Sequence, residues 1–343
     1  MHPDRTLTPA PAGRYTTRMP IIALRYDLRA PAFAKVSHAE LYRTCLDQCA
    51  WGDEHGLDLA VLSEHHGVDD GYMSSPLTLA AAIAGRTRRL QINIAAILVP
   101  LHDPLRLAEQ IATVALVSGD RLGFVAGLGY RHEEFEMAGV DRTQRGKLLD
   151  EYVDVLRKAF TGEPFEYRGR TVRVTPKPTS PPMILIGGST KIAARRAARL
   201  RAGFFPAVGD PALVTIYNEE CKKVGFSGGF ASLPGGPGFV HVSEDPERDW
   251  ARIAPHALYD AQVYASWQTP DQRSSVHVEA QTADDVRRSG VYRIVTPDEC
   301  VALANDVGTL VLHPLMGGMP PDLGWQSLEL FGKKVLPRLR PAA

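Results

Sequence analysis

Cysteine is scarce in this chain, with four in 343 residues. That is too few for a disulfide scaffold at this length. Cys45 and Cys49, four apart in a helical stretch, read as packing in a reducing cytosol. No paired-cysteine or HExxH spacing signals a metal centre. Net charge is missing too: Lys plus Arg and Asp plus Glu are 39 each, so the basic footprint of a nucleic-acid binder is absent. No apolar run approaches the roughly 20 residues that a membrane helix needs. The opening stretch MHPDRTLTPAPAGRYTTR (1–18) is proline-rich and lacks the apolar core of a secretory signal. It is expected to be a disordered or loosely docked tail, with Met19 an alternative start. The expected setting is the cytoplasm, with no nucleic-acid or membrane partner.

Hydrophobic residues make up 44% of the chain, enough for a large core. From residue 20 short β-rich runs alternate with helical spacing. The runs are IIALRY (21–26), LDLAVL (57–62), LQINIAAILVP (90–100), RLGFVAGLG (121–129), MILIGG (183–188), GFFPAV (203–208), GFVHVS (238–243) and TLVLHPL (309–315). Helices are expected over 38–56, 75–87, 103–118, 145–161, 189–202, 211–224, 297–307 and 324–337. Pro76 stands at a first helical position, and Asp103 with Pro104 forms an N-cap and N1 pair. Residues 164–180 read as a β-hairpin excursion. Residues 244–295 break the rhythm and read as a largely helical insertion, a lid with aromatic surface from Tyr259, Tyr264 and Trp267. Eight β–α units imply parallel strands with right-handed crossovers. The expected fold is α/β, a (β/α)8 TIM barrel forming one domain over 19–343. An open doubly wound sheet is the alternative, but no GxGxxG with its acidic partner stands in a first βα unit.

Barrel sites lie at the C-terminal strand ends. After the second run come Ser63, Glu64, His65 and His66, and after the third Pro100, Leu101, His102 and Asp103. After the fourth comes Gly127-Leu128-Gly129-Tyr130-Arg131, and after the fifth Gly187-Gly188-Ser189-Thr190. Gly187 and Gly188 let a ligand approach the backbone, and Ser189 and Thr190 open a helix whose free N–H groups favour an anion. The competing reading is a tight turn with a serine cap. Gly127 and Gly129 suggest backbone laid against a flat ligand. Ala95 and Ala96 leave room above the barrel mouth. His65 and His66 are adjacent at a strand end, so they point to different sides. Imidazole there suits general acid–base work or hydrogen bonding. Metal binding is not expected, because residues 21–28 offer no HxH. Tyr26 and Phe33 are expected to border the pocket.

LSEHHG (62–67), INIAAILVPLHDPLRLAEQ (92–110), SGDRLGFVAGLGYRHEEFEMAGVD (118–141), RGKLLDEYVDVL (145–156) and PPMILIGGSTKIAARRAARLRAGFFP (181–206) together resemble the bacterial luciferase-like family of flavin-dependent barrel oxidoreductases. The likeness runs over about 20–225. It implies a flavin or deazaflavin across the barrel mouth, lined by Gly127, Leu128, Gly129 and Tyr130. The ring would lie near Ala95 and Ala96, where the family often carries a non-proline cis peptide. The phosphate would be gripped by the loop of Gly188, Ser189 and Thr190 and by Arg145. His65 corresponds to the family's catalytic histidine and His66 to its neighbour. Two clues diverge. Leu128 stands where FMN relatives place an arginine and Tyr130 fits the deazaflavin members, whereas the EHH run fits the FMN enzymes. The resemblance therefore implies an FMN-dependent monooxygenase that oxidises a small organic substrate through a flavin C4a-peroxide. Reduced flavin would come from a flavin reductase or NAD(P)H. The alternatives are a coenzyme F420-dependent reductase or dehydrogenase, a non-catalytic flavin-binding barrel and a metal-dependent hydrolase. A homodimer through helices near 76–86 and 104–117 is also implied.

Overall fold

The computed structural model describes residues 19–269, 272 and 274–340. The expected tail, residues 1–18, lies outside the described residues, as do positions 270, 271 and 273 of the insertion. The strands are β1 Ile21–Tyr26, β2 Leu59–Leu62, β3 Gln91–Leu98, β4 Leu122–Gly127, β5 Phe165–Tyr167, β6 Arg170–Val172, β7 Met183–Gly188, β8 Gly203–Pro206, β9 Phe239–Val242, β10 Tyr292–Val295 and β11 Thr309–Leu312. β5 and β6 form the expected antiparallel hairpin. The other nine make one sheet in the order β10-β9-β11-β1-β2-β3-β4-β7-β8. Every ladder in it is parallel.

The last strand therefore pairs with the first: Ile21 stands opposite Thr309 and Leu24 opposite Leu312. Consecutive order with that junction is the wrapping of a barrel, not of a doubly wound sheet that reverses about a central strand. The seam lies beside β8. There residues 230–232 add backbone bonds, from Phe204 N to Phe230 O at 2.9 Å and from Ser232 N to Phe204 O at 3.1 Å. The eight expected strands are all present. β10 is an addition: the insertion does carry the helices Pro246–Trp267 and Ala283–Arg288, but its tail pairs in parallel with β9. The insertion is fastened by its own small core, in which Trp250, Ile253, Ala257 and Val286 pack with Phe239, Tyr292, Met316 and Leu323. Among the described residues no helix is long and apolar enough to cross a membrane.

Helix starts follow local chemistry. Asp103 accepts from the N–H groups of Leu105 and Arg106, both at 3.0 Å, with Pro104 at N1. Pro76 opens its helix as expected. At the N-terminal barrel face, Asp53 near the end of helix His38–Glu54 clamps the approach to β3. Its carboxylate accepts from Arg88 N at 2.9 Å, Arg89 N at 2.7 Å and Leu90 N at 2.6 Å. Arg121 closes the same face, donating to Leu90 O at 2.7 Å and to Thr87 O and Ala84 O at 3.0 Å each. Site-free ends of barrels carry such stabilising contacts.

Burial opposes ionisation of Asp53, but the three backbone donors outweigh it and hold its pKa below the usual carboxylate value. Its stabilisation is therefore present above the unfolded-state pKa of about 4 and is lost as pH falls through the lower folded value. Asp53→Asn should cost about 2–4 kcal/mol in urea unfolding at pH 7. The gap to the wild type should narrow below about pH 4; a gap unchanged with pH would remove the carboxylate charge from the account.

Candidate active site

The C-terminal strand ends bring the β2 and β4 segments together around one carboxylate. Glu134 lies in the first turn of helix His132–Ala138 and is buried. Its Oε1 contacts His65 Nδ1 at 2.8 Å, accepts from the His66 backbone N–H at 3.0 Å and meets Arg131 Nη1 at 3.5 Å. Arg131 in turn donates to His66 O at 2.7 Å. With Nδ1–H given to a carboxylate, the neutral His65 ring presents Nε2 as its free basic atom. That atom lies 3.4 Å from Tyr130 Oη. Burial pushes the His65 pKa down, and the hydrogen bond to Glu134 offsets part of that loss.

Aromatic rings wall this imidazole. Tyr72 and Trp267 each lie 4.8 Å from it, centroid to centroid, and Tyr130 lies 5.6 Å away. Trp267 ends the long insertion helix, so the insertion reaches this imidazole. Its indole has the Arg131 guanidinium at 4.6 Å and that of Arg29 at 4.8 Å. Tyr72 and Tyr264 share a hydroxyl contact of 2.7 Å. Arg29 is fully buried among Asp27, Asp70 and Asp260, with its nearest carboxylate oxygen, on Asp70, at 3.4 Å. Burial, together with Asp260, raises Asp27 to about 7. Tyr259 donates to Asp70 at 2.8 Å and packs edge-on against Phe33. Phe33 thus stands at this rim, but Tyr26 does not. It is buried on the opposite side of β1 against Cys45 and Cys49, because alternation along the strand sends Arg25 inward and Tyr26 outward.

His66, in the loop after β2, takes a different partner from His65 and bonds Glu64. On β3, Ala95 and Ala96 are half-buried between the buried Ile94 and Ile97. The Ala95–Ala96 peptide is cis, and the β3–β4 register shifts there, Ala95 pairing with Val125 and Ile97 with Ala126. The glycines are hemmed in by the protein itself. A Cβ on Gly127 would stand 2.9 Å from that of Ala96, and on Gly187 2.9 Å from Val125 Cγ1. On Gly188, at φ +146°, it would stand 2.5 Å from the Ala193 Cβ. Gly129 has φ +72° and lies under the Phe135 ring, while Leu128 packs on the main core. The cap of helix Lys191–Arg199 is Thr190 and not the serine: its hydroxyl accepts from Ala193 N at 3.2 Å. Ser189 directly precedes it. Arg145 opens helix Arg145–Ala159 and donates to Arg142 O at 2.9 Å. Burial, then Arg142 and Arg196, lowers its pKa. Among the described residues the Nε atoms of Arg142 and Arg145 are buried without partners.

Sequence reasoning missed Glu134, Arg131 and Arg29. Only the position of HEEF just after the glycine loop signalled that a carboxylate would face the histidines. Because Glu134 supports protonated His65, Glu134→Gln should lower the His65 pKa further and weaken the preference for the Nδ1–H tautomer. Imidazole 15N shifts in EDTA-treated protein report both; an unchanged His65 spectrum would detach Glu134 from it.

A family model described as luciferase-like monooxygenase matches residues 29–302. The chain spans about half the length of the first curated relatives it matches. One, from Mycobacterium tuberculosis, is 36% identical over 138 residues, covering 39% of this chain and 48% of the relative. Three solved structures share the fold. Monooxygenase RslO1 from Streptomyces bottropensis has a TM-score of 0.74 at 22% identity, covering 93% of this chain and 99% of that one. The oxygenating constituent of 3,6-diketocamphane monooxygenase from Pseudomonas putida, in complex with FMN, has 0.70 at 17%, covering 94% and 99%. An F420-dependent secondary alcohol dehydrogenase with an F420–acetone adduct has 0.68 at 15%, covering 94% and 100%. Since the family match runs through every strand end that builds the site, from β2 to β7, this chain belongs to the luciferase-like monooxygenase family.

Proposed function

We propose that the protein is an FMN-dependent monooxygenase acting on a small organic substrate. The observation that carries this reading is His65: it is buried, tied through Nδ1 to Glu134, and turns Nε2 toward Tyr130 among aromatic rings. The residues suit a flavin phosphate and ring. Arg142 and Arg145 hold buried Nε atoms without partners, and Arg145 feels the further positive charge of Arg196. A phosphate near these guanidinium groups and the helix that Thr190 caps would supply the missing negative charge. The half-buried Ala95 and Ala96 offer a low surface for a planar ring.

Bound FMN, reduced by a separate reductase or by NAD(P)H, would supply the activation of dioxygen. The side chains would do the rest. His65 Nε2 takes or returns a proton at the reacting face, while Glu134 holds the ring and stabilises its cationic form. Tyr72, Tyr264 and Trp267 keep water out of that space. A second reading, a coenzyme F420-dependent dehydrogenase, draws on Leu128 where FMN relatives place arginine, and on Tyr130 beside His65. The fold serves both cofactors in the solved relatives.

Titrating the apoprotein with FMN and with coenzyme F420 separates the two. FMN should bind with its two visible bands retained and, once reduced, should consume oxygen; tight binding of coenzyme F420 alone would overturn the FMN reading. Arg145→Ala should weaken FMN about 10–100-fold, or about 1.5–3 kcal/mol. His65→Ala should slow product formation at least about 100-fold on any aldehyde or terpenoid that the wild type oxidises, leaving FMN affinity nearly unchanged. Equal turnover would remove His65 from the chemistry, and flavin binding without turnover on any substrate would favour a passive holder.

A further inference from the structure

Three side chains next to the mouth take no part in the chemistry above. Glu64 lies just beyond β2 and is buried, while His66 and His102 are half-buried with one side toward solvent. Glu64 Oε2 accepts the Leu98 N–H at 2.6 Å. That leaves Oε1, which lies 3.0 Å from His66 Nε2 and 2.7 Å from His102 Nε2. All three atoms lie within 4.8 Å of one another. We propose that Glu64, His66 and His102 form a binding site for one divalent first-row transition ion of the zinc type.

The donor set argues for this class. Two imidazole nitrogens and one carboxylate oxygen suit Zn²⁺ and its neighbours, whereas Mg²⁺ and Ca²⁺ demand oxygen. Ligands about 2.0–2.2 Å from a tetrahedral ion stand about 3.3–3.6 Å apart, so the separations of 3.0 and 2.7 Å seen here widen by about 0.3–0.9 Å when the ion enters. Ligating carboxylates are usually steadied by a further hydrogen bond, and the Leu98 N–H supplies one. Binding conserves atoms and charge: each imidazole moves its proton from Nε2 to Nδ1, and the ion takes the place of two N–H···O bonds. Three protein ligands leave positions for water on the solvent side. The sequence concealed the set because His102 comes from the end of β3, 38 residues from Glu64. Its main consequence runs through His66, whose N–H reaches Glu134 and whose carbonyl reaches Arg131. An ion at this point braces the same backbone that orients His65.

The test uses full-length protein without a histidine tag, stripped with EDTA. Titration with Co²⁺ should give visible ligand-field bands saturating at one ion per chain. Calorimetry with Zn²⁺ should give the same stoichiometry, and Zn²⁺ should raise Tm. His102→Ala and His66→Ala should each weaken binding at least about 100-fold. Circular dichroism checks their folding. X-ray absorption of the zinc-loaded wild type needs no variant and should show two imidazoles with oxygen ligands. No saturable one-ion binding, wild-type affinity in the His66→Ala/His102→Ala double variant, or a sulfur or single-imidazole shell would each overturn the assignment. None of these readouts involves flavin, so the site stands or falls apart from the proposed reaction.

Discussion

One oxygen of Glu134 holds the active end of this barrel together. It meets a side-chain nitrogen of His65, a main-chain N–H of His66 and the Arg131 guanidinium. A buried carboxylate is costly unless such partners surround it. Here each partner is itself fixed: His66 by Glu64, Arg131 by the His66 carbonyl, and His65 by three aromatic neighbours. Orientation of the imidazole is thus set by the joining of two strand ends, not by either loop alone.

The two barrel faces divide their tasks. At the N-terminal face Asp53 and Arg121 satisfy backbone groups of the loop before β3. At the other face partners are left incomplete. Arg142 and Arg145 hold lone buried Nε atoms, and Arg29 sits among three aspartates at ion-pair distances.

Much of this was legible in the sequence because it is local. Alternating apolar runs bounded by Pro and Gly gave the eight strands, and Asp103-Pro104 and Pro76 announced helix starts that the structure keeps. The strand-end position of His65 and His66 could be read directly. Pairings across the barrel could not: His65 and Glu134 are 69 residues apart, and nothing local joins them. β10 escaped notice because a four-residue strand pairing only with β9 leaves little periodicity in a helical stretch. The glycines carry a second constraint that the sequence does not display. Their small size is required by Ala96, Val125 and Ala193, neighbours that only the folded chain brings near.

Trp267 belongs to the insertion, outside the eightfold repeat, yet it touches His65 and lies between two guanidinium groups. A segment outside the repeating β–α units therefore forms part of the wall around His65. Descendants of this fold can acquire new chemical tastes by remodelling one helix end while every strand keeps its register.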